Sequence, residues 1–245
     1  MQTFGEDELA AKVDAKYYTS FDMTFRNYWS NELNALNNTL KTIHYLPLLS
    51  CYPFISLTSF PTIPNMKDNQ LIEQMAEAYY ERLLPSSKRP NFCFFKGKKR
   101  PTLESFPSSF QIDGQSKKLC DIQFTEGFNR GSKPEYSMSQ MTTAISLCPS
   151  GGSPETFRMW EALDNGAIPI VQNVETMSAI PKGHPIHVLN VSRHDYGKSG
   201  ELHEIILNFY KNPTEMDAYQ KKLYKWWFHW KVELMKTMQR AFHVV

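Results

Sequence analysis

One run limits the folding of this chain more than any other: Leu147-Cys148-Pro149-Ser150-Gly151-Gly152-Ser153-Pro154-Glu155-Thr156-Phe157-Arg158-Met159-Trp160-Glu161-Ala162-Leu163-Asp164-Asn165-Gly166-Ala167-Ile168-Pro169-Ile170-Val171. It reads as strand, glycine loop, helix, glycine stop, strand. Ser153 suits an N-cap and Pro154 the first helical position. Asn165-Gly166 ends the helix. On a helical wheel Phe157, Met159, Trp160 and Leu163 fill one broad arc, and Glu155, Arg158 and Glu161 fill the opposite one. The apolar arc is expected to face a sheet, leaving the charged groups free.

The same alternation extends in both directions. Residues 91–95, 119–124, 142–148, 167–171 and 184–189 read as short buried strands. Residues 102–110, 134–141, 154–164 and 201–211 read as helices between them. Such alternation implies βα units and a mostly parallel sheet. Upstream, residues 22–26 and 42–46 are strand candidates, and 68–84 is a helix with Leu71, Met75, Tyr79 and Leu83 recurring every fourth position. Pro85-Ser86-Ser87-Lys88-Arg89-Pro90 reads as a linker. Residues 214–243 read as one or two helices.

Composition narrows the class. The 245 residues suggest one or two domains at roughly 150 residues each. Hydrophobic residues at 41% and charged residues at 21% exclude a disordered or low-complexity chain. A net charge of +2 gives no case for nucleic acid as a partner. No apolar run reaches the ~18 residues that span a bilayer, and the acidic N-terminus is not a signal peptide. The four cysteines show no CxxC and no His-paired spacing, so neither a zinc site nor a disulfide framework is expected, and they leave the compartment open. No Asp-x-Asp occurs, so the usual metal–diphosphate ligand pattern is missing and no metal is expected. The histidines are scattered, which favours structural roles.

The chemistry suggested by 147–171 is anion binding. A helix N-terminus offers unpaired N–H groups and partial positive charge, and glycines let a ligand approach the backbone. Arg158 would add a charge-assisted bond to a diphosphate, and Glu161 would accept from ribose hydroxyls. Residue types alone leave a plainer alternative open, a capped helix with a surface Glu–Arg pair. GxxxxGK[ST] is absent, as is GxGxxG. Lys88, Arg89, Lys96, Lys98, Lys99 and Arg100 form a basic stretch. Lys96 to Arg100 read as a loop at the carboxyl edge of the first strand, whereas Lys88, Arg89 and Lys98 read as a solvated charge run. Trp226-Trp227-Phe228-His229-Trp230 reads as helix packing and not as a carbohydrate platform. Asn37-Asn38-Thr39 and Asn190-Val191-Ser192 are glycosylation sequons.

The run 147–171 closely resembles the donor-site segment of exostosin-like glycosyltransferases, in the branch of ribitol xylosyltransferase-like proteins. Other fragments fit in order: Asp7-Glu8 after Gly5-Glu6, Phe25-Arg26-Asn27-Tyr28-Trp29, His44-Tyr45-Leu46-Pro47-Leu48, and Phe92-Cys93-Phe94-Phe95-Lys96-Gly97. The resemblance implies a GT-B-like α/β architecture. Residues 1–86 would be a partial, acceptor-side N-terminal domain and 87–213 a Rossmann-type domain binding a nucleotide sugar. Residues 214–245 would be helices packing back toward the first part. It implies an inverting glycosyltransferase acting on a nucleoside-diphosphate sugar, with UDP the expected nucleotide, and a glycan or glycoprotein hydroxyl. No cofactor is implied, the UDP-sugar being a co-substrate. The implied donor residues are Lys96, Arg100, Gly151, Gly152, Ser153, Glu155, Thr156, Arg158 and Glu161, with Asp7 and Glu8 as candidate bases. A Golgi or secretory lumen is implied, although with no targeting or membrane segment in the chain a cytoplasmic location is also open. The rival reading is a truncated, non-catalytic remnant that binds a sugar nucleotide or glycan.

Overall fold

A computed structural model describes residues 3–4, 24–26, 31–40, 43–45, 67–98, 101–107, 109–125, 133–150, 157–172, 175–192 and 194–242. Near the N-terminus, strands β1 (Thr3–Phe4), β2 (Thr24–Arg26) and β3 (Ile43–Tyr45) pair in parallel, with helix α1 (Asn31–Leu40) between the second and third. Helix α2 (Asn69–Tyr80) is capped by Asp68, whose side chain accepts from the Gln70 and Leu71 amides. It buries Ile72 and Ala76, so the inward face lies one residue beyond the predicted stripe, and Leu71, Met75 and Tyr79 flank it.

The main sheet is parallel and five-stranded. It contains β4 (Asn91–Lys98), β7 (Cys120–Thr125), β8 (Thr143–Cys148), β9 (Ile168–Gln172) and β10 (His187–Leu189). The spatial order is β10-β9-β8-β4-β7, with every pairing parallel. All six residues of β8 and all five of β9 are buried. Because successive side chains point to opposite faces, both faces of these central strands are covered. Helices α4 (Lys133–Met141), α5 (Phe157–Asp164) and α6 (Gly200–Lys211) follow β7, β8 and β10 respectively. The result is a mixed α/β fold compatible with a Rossmann-like arrangement.

Three expectations are corrected. The stretch 102–110 is helical only in α3 (Pro101–Glu104), and a hairpin, β5 (Phe110–Ile112) with β6 (Gln115–Lys117), follows. Its turn residues Asp113 and Gly114 have φ of 51° and 75°, the Asp-Gly signature of a type I′ turn. Next, Cys93 and Cys120 form a disulfide. They are register partners on neighbouring strands. That proximity appears only once β4 and β7 are known to be adjacent. Finally, the proline-bounded segment 85–90 is tied in rather than loose. Ser86 and Arg89 are buried, and the Ser86 amide donates to Gln220 Oε1 at 2.8 Å. Arg89, expected in a solvated charge run, donates to the carbonyls of Leu84 (2.9 Å), Thr143 (2.8 Å) and Asn165 (3.0 Å). Lys88 and Lys98 are exposed, as expected.

The C-terminal segment is one 30-residue helix, α7 (Pro213–Phe242). Trp227 and Phe228 are buried. Trp227 stacks on Trp160 of α5 with ring centroids 5.3 Å apart. The aromatic cluster is therefore packing. Asp164, at the end of α5, accepts from Trp227 Nε1 at 2.8 Å and from the buried Lys231 ammonium at 3.0 Å. Toward α2, Lys221 pairs with Glu77, and Lys225 bridges Glu73 and Glu77.

Candidate functional site

Numbered within the sheet, the strand order is 2-1-3-4-5. The order reverses between β4 and β8, and open α/β sheets take ligands outside the carboxyl ends of the strands at such a switch point. The residues converging there come from the end of β4, the end of β8 and the start of α5.

Arg158 is the charged group of this junction. It is only 8% exposed, and its guanidinium lies 4.5 Å from the centre of the Phe95 ring. Nη2 donates to the Lys96 carbonyl at 3.2 Å. Nε is buried without a hydrogen-bond partner. Gly97 makes this approach possible, because a Cβ there would lie 2.7 Å from Arg158 Nη2. The rest of α5 is equally enclosed. Arg158, Met159, Trp160, Glu161, Ala162 and Leu163 are all buried, so the polar arc is not free as expected. Glu161 is 2% exposed and carries an interaction of its own. A helix with core on one side and a neighbouring strand end on the other has no solvent face, which a helical wheel cannot reveal.

The far end of α5 follows the sequence. Gly166 adopts φ +66°, and its amide donates to Leu163 O while that of Ala167 donates to Ala162 O. A Cβ at Gly166 would lie 2.5 Å from Leu83 Cδ1.

The carboxyl ends of β8, β9 and β10 are laced by side chains that sequence reasoning did not single out. Tyr196, fully buried, donates from its hydroxyl to Ile170 O at 2.6 Å and accepts from the Cys148 amide at 3.2 Å. Ser150 Oγ donates to Gln172 Oε1 at 2.7 Å, and Gln172 Nε2 donates to Val191 O at 2.9 Å. Ser150 stands immediately before Gly151-Gly152 in the sequence, so this chain of bonds fixes the chain just upstream of the glycines. Only its place beside the glycines marked Ser150. Gln172 and Tyr196 are 22 and 48 residues from their partners and left no local signal. Burial pushes the Cys148 thiol up to about 12, which makes it packing and not a nucleophile.

Of the predicted site residues, Lys96, Arg158 and Glu161 are described. Lys96 belongs to β4 rather than to the loop after it. Strand alternation places its side chain on the face opposite Phe95. Asp7, Glu8, Arg100, Gly151, Gly152, Ser153, Glu155 and Thr156 lie outside the described residues. A separate cleft of ≈ 620 Å³ opens at the amino end of β4 and β7, lined by Phe92, Lys117, Asp121 and Tyr210 among others. It faces away from the switch point.

Residues 72–244 match the family model described as the RXYLT1 C-terminal domain. The chain belongs to this family. It is a family of xylosyltransferase-like glycosyltransferases, and the matched span takes in the whole main sheet, the Arg158 junction and α7. Human ribitol-5-phosphate xylosyltransferase 1 is 25% identical over 162 residues, covering 60% of this chain and 36% of that protein. The chain thus spans about a third of the length of the relative that it matches. Among the described residues, no helix is long and apolar enough to cross a membrane.

Proposed function

We propose that this chain forms the donor-binding part of a GT-B glycosyltransferase that moves a sugar from a UDP-sugar to a glycan hydroxyl with inversion. The observation that carries the reading is the Arg158 junction. It is a buried guanidinium, stacked on an aromatic ring and with one donor unpaired, at the switch point of a sheet within a glycosyltransferase family match.

In this reading the diphosphate lies over the 151–156 loop, against the amides of Gly151, Gly152, Ser153 and Thr156. Arg158 supplies positive charge from below, with Lys96 and Arg100 contributing from the β4 side. Glu161 takes the ribose hydroxyls from within the crevice, and Glu155 lines the mouth of the loop. An acceptor hydroxyl attacks the anomeric carbon in one displacement and loses its proton to a carboxylate, for which Asp7 and Glu8 are the candidates. The leaving diphosphate is stabilised by fixed amides and guanidinium in place of a cation. Xylose comes first among donor sugars by transfer from the relative's name, ahead of galactose and glucuronate. Residues upstream of α2 contribute to the acceptor side. A secretory lumen is the proposed compartment, supported by the Cys93–Cys120 disulfide, since such bonds persist in oxidising surroundings.

The test is UDP release from UDP-xylose, UDP-galactose and UDP-glucuronate, with and without EDTA, beside calorimetric titration with UDP. We expect UDP to bind, one donor to be hydrolysed faster than the others, and EDTA to leave most of that rate intact. UDP binding without turnover would favour a binding remnant, and absence of UDP binding would overturn the proposal.

A further inference from the structure

The chain carries two Asn-x-Ser/Thr sequons, and the structure separates them. Asn37 lies in the interior of α1, where it is half-buried. On an α-helix, residues two apart point about 200° away from each other. The Asn37 amide and the Thr39 hydroxyl therefore diverge. Asn190 directly follows the last residue of β10, in non-helical chain, and both Asn190 and Ser192 are exposed. Residues 190–192 lie outside any helix, so this sequon is free of the helical geometry that turns the two side chains of the other one apart. The backbone on either side is anchored. Leu189 is fully buried, the Val191 carbonyl accepts from Gln172, and the Ser192 hydroxyl donates to the Asp195 carboxylate. A bulky group on Asn190 would thus project outward without disturbing the core. The second observation concerns compartment. Cys93 and Cys120 are joined, which fits a chain that matures where cysteines are oxidised and sequons are read.

We infer that Asn190 is an N-glycosylation site and that Asn37 is not, an inference that rests on the secretory-lumen reading above. In the reaction, Asn190 Nδ2 gives up one proton and bonds to C1 of the reducing-end sugar of a polyprenyl-diphosphate-linked oligosaccharide. The C1–O bond breaks, and the polyprenyl diphosphate leaves with the electron pair. The proton passes to a base of the host transferase. β10 is the edge strand, two positions from β8. The glycan would therefore stand about 12 Å to one side of the switch point between β8 and β4, at the rim of the carboxyl edge and not over Arg158.

The test is to produce the full chain behind a cleavable secretion signal in a eukaryotic cell, treat it with peptide N-glycosidase, and map peptides by mass. One glycan should be released, leaving Asp in place of Asn190. N190Q and S192A should each lose the mobility shift, while S192T and N37Q should keep it. Two independent losses guard against a folding defect in either variant. A glycan at Asn37, or unmodified Asn190 in molecules whose Cys93–Cys120 bond has formed, would overturn the inference. Recovery of the native chain from its own cells with both cysteines as free thiols would overturn the lumen reading, and this inference with it.

Discussion

Two buried arginines stand at opposite ends of the sheet, beside opposite ends of one helix, and they are finished differently. Arg89 is 6% exposed, at the amino edge. It places three donors on three main-chain carbonyls, which tie the 84–90 segment to the start of β8 and the end of α5. Burial lowers its pKa, and Tyr80 and Asp217 oppose that shift. Arg158, almost equally buried at the carboxyl edge, has a ring beneath it, one carbonyl partner in β4, and an unpaired Nε. A buried charge whose donors go to main-chain carbonyls is a fastening. A buried charge left one donor short, at the edge where parallel sheets take ligands, stands where the proposed diphosphate would lie.

The comparison can be broken most forcefully at Arg89. Arg89→Met should cost ~3–5 kcal/mol of stability, because it takes the guanidinium away from the buried carbonyls of Thr143 and Asn165. Urea unfolding would measure it, and a loss below ~1 kcal/mol would mean that water replaces the guanidinium there. Donor affinity, corrected for the fraction folded, should not change.

The reverse pattern is expected at Arg158. Arg158→Ala should weaken UDP binding by ~1.5–3 kcal/mol, the range for a lost charge-assisted hydrogen bond, with a smaller effect on unfolding. Unchanged UDP affinity by calorimetry, together with a large fall in stability, would make the two arginines alike. Gly97→Ala is the finest probe. Its Cβ would stand 2.7 Å from Arg158 Nη2, so the guanidinium must shift, and we expect UDP affinity to fall by ~1 kcal/mol, below the full truncation. A greater loss than in Arg158→Ala would show that Gly97 itself contacts the ligand.

The sequence disclosed the sheet because buried strands and crossover helices have distinct periods. Strands predicted at 91–95, 119–124, 142–148 and 167–171 all form, with ends within three residues of those expected. Asn165-Gly166 stopped α5 as predicted. The hairpin at 110–117 carries a strong local turn signal in Asp113-Gly114, which the reading of 102–110 as helix left out of account. The disulfide, the role of Arg89 and the Tyr196 hydroxyl were not legible. Each depends on which elements become neighbours, and no local period encodes that. The burial of Glu161 belongs with them.

Helix α7 has a mechanical consequence. At 1.5 Å per residue, its 30 residues make a rod about 45 Å long. Along its flank it is fastened to α2 through the Lys221, Lys225, Glu73 and Glu77 pairs, to the 84–90 segment and Gly166 through Gln220, and to the end of α5 through Asp164. Helix α2, the 84–90 segment and α5 are thus pinned to one strut. If the two halves of the enzyme swing during turnover, α2 should travel with the donor side. The pivot would then fall upstream of it, and residues near 86 would ride with the strut instead of bending.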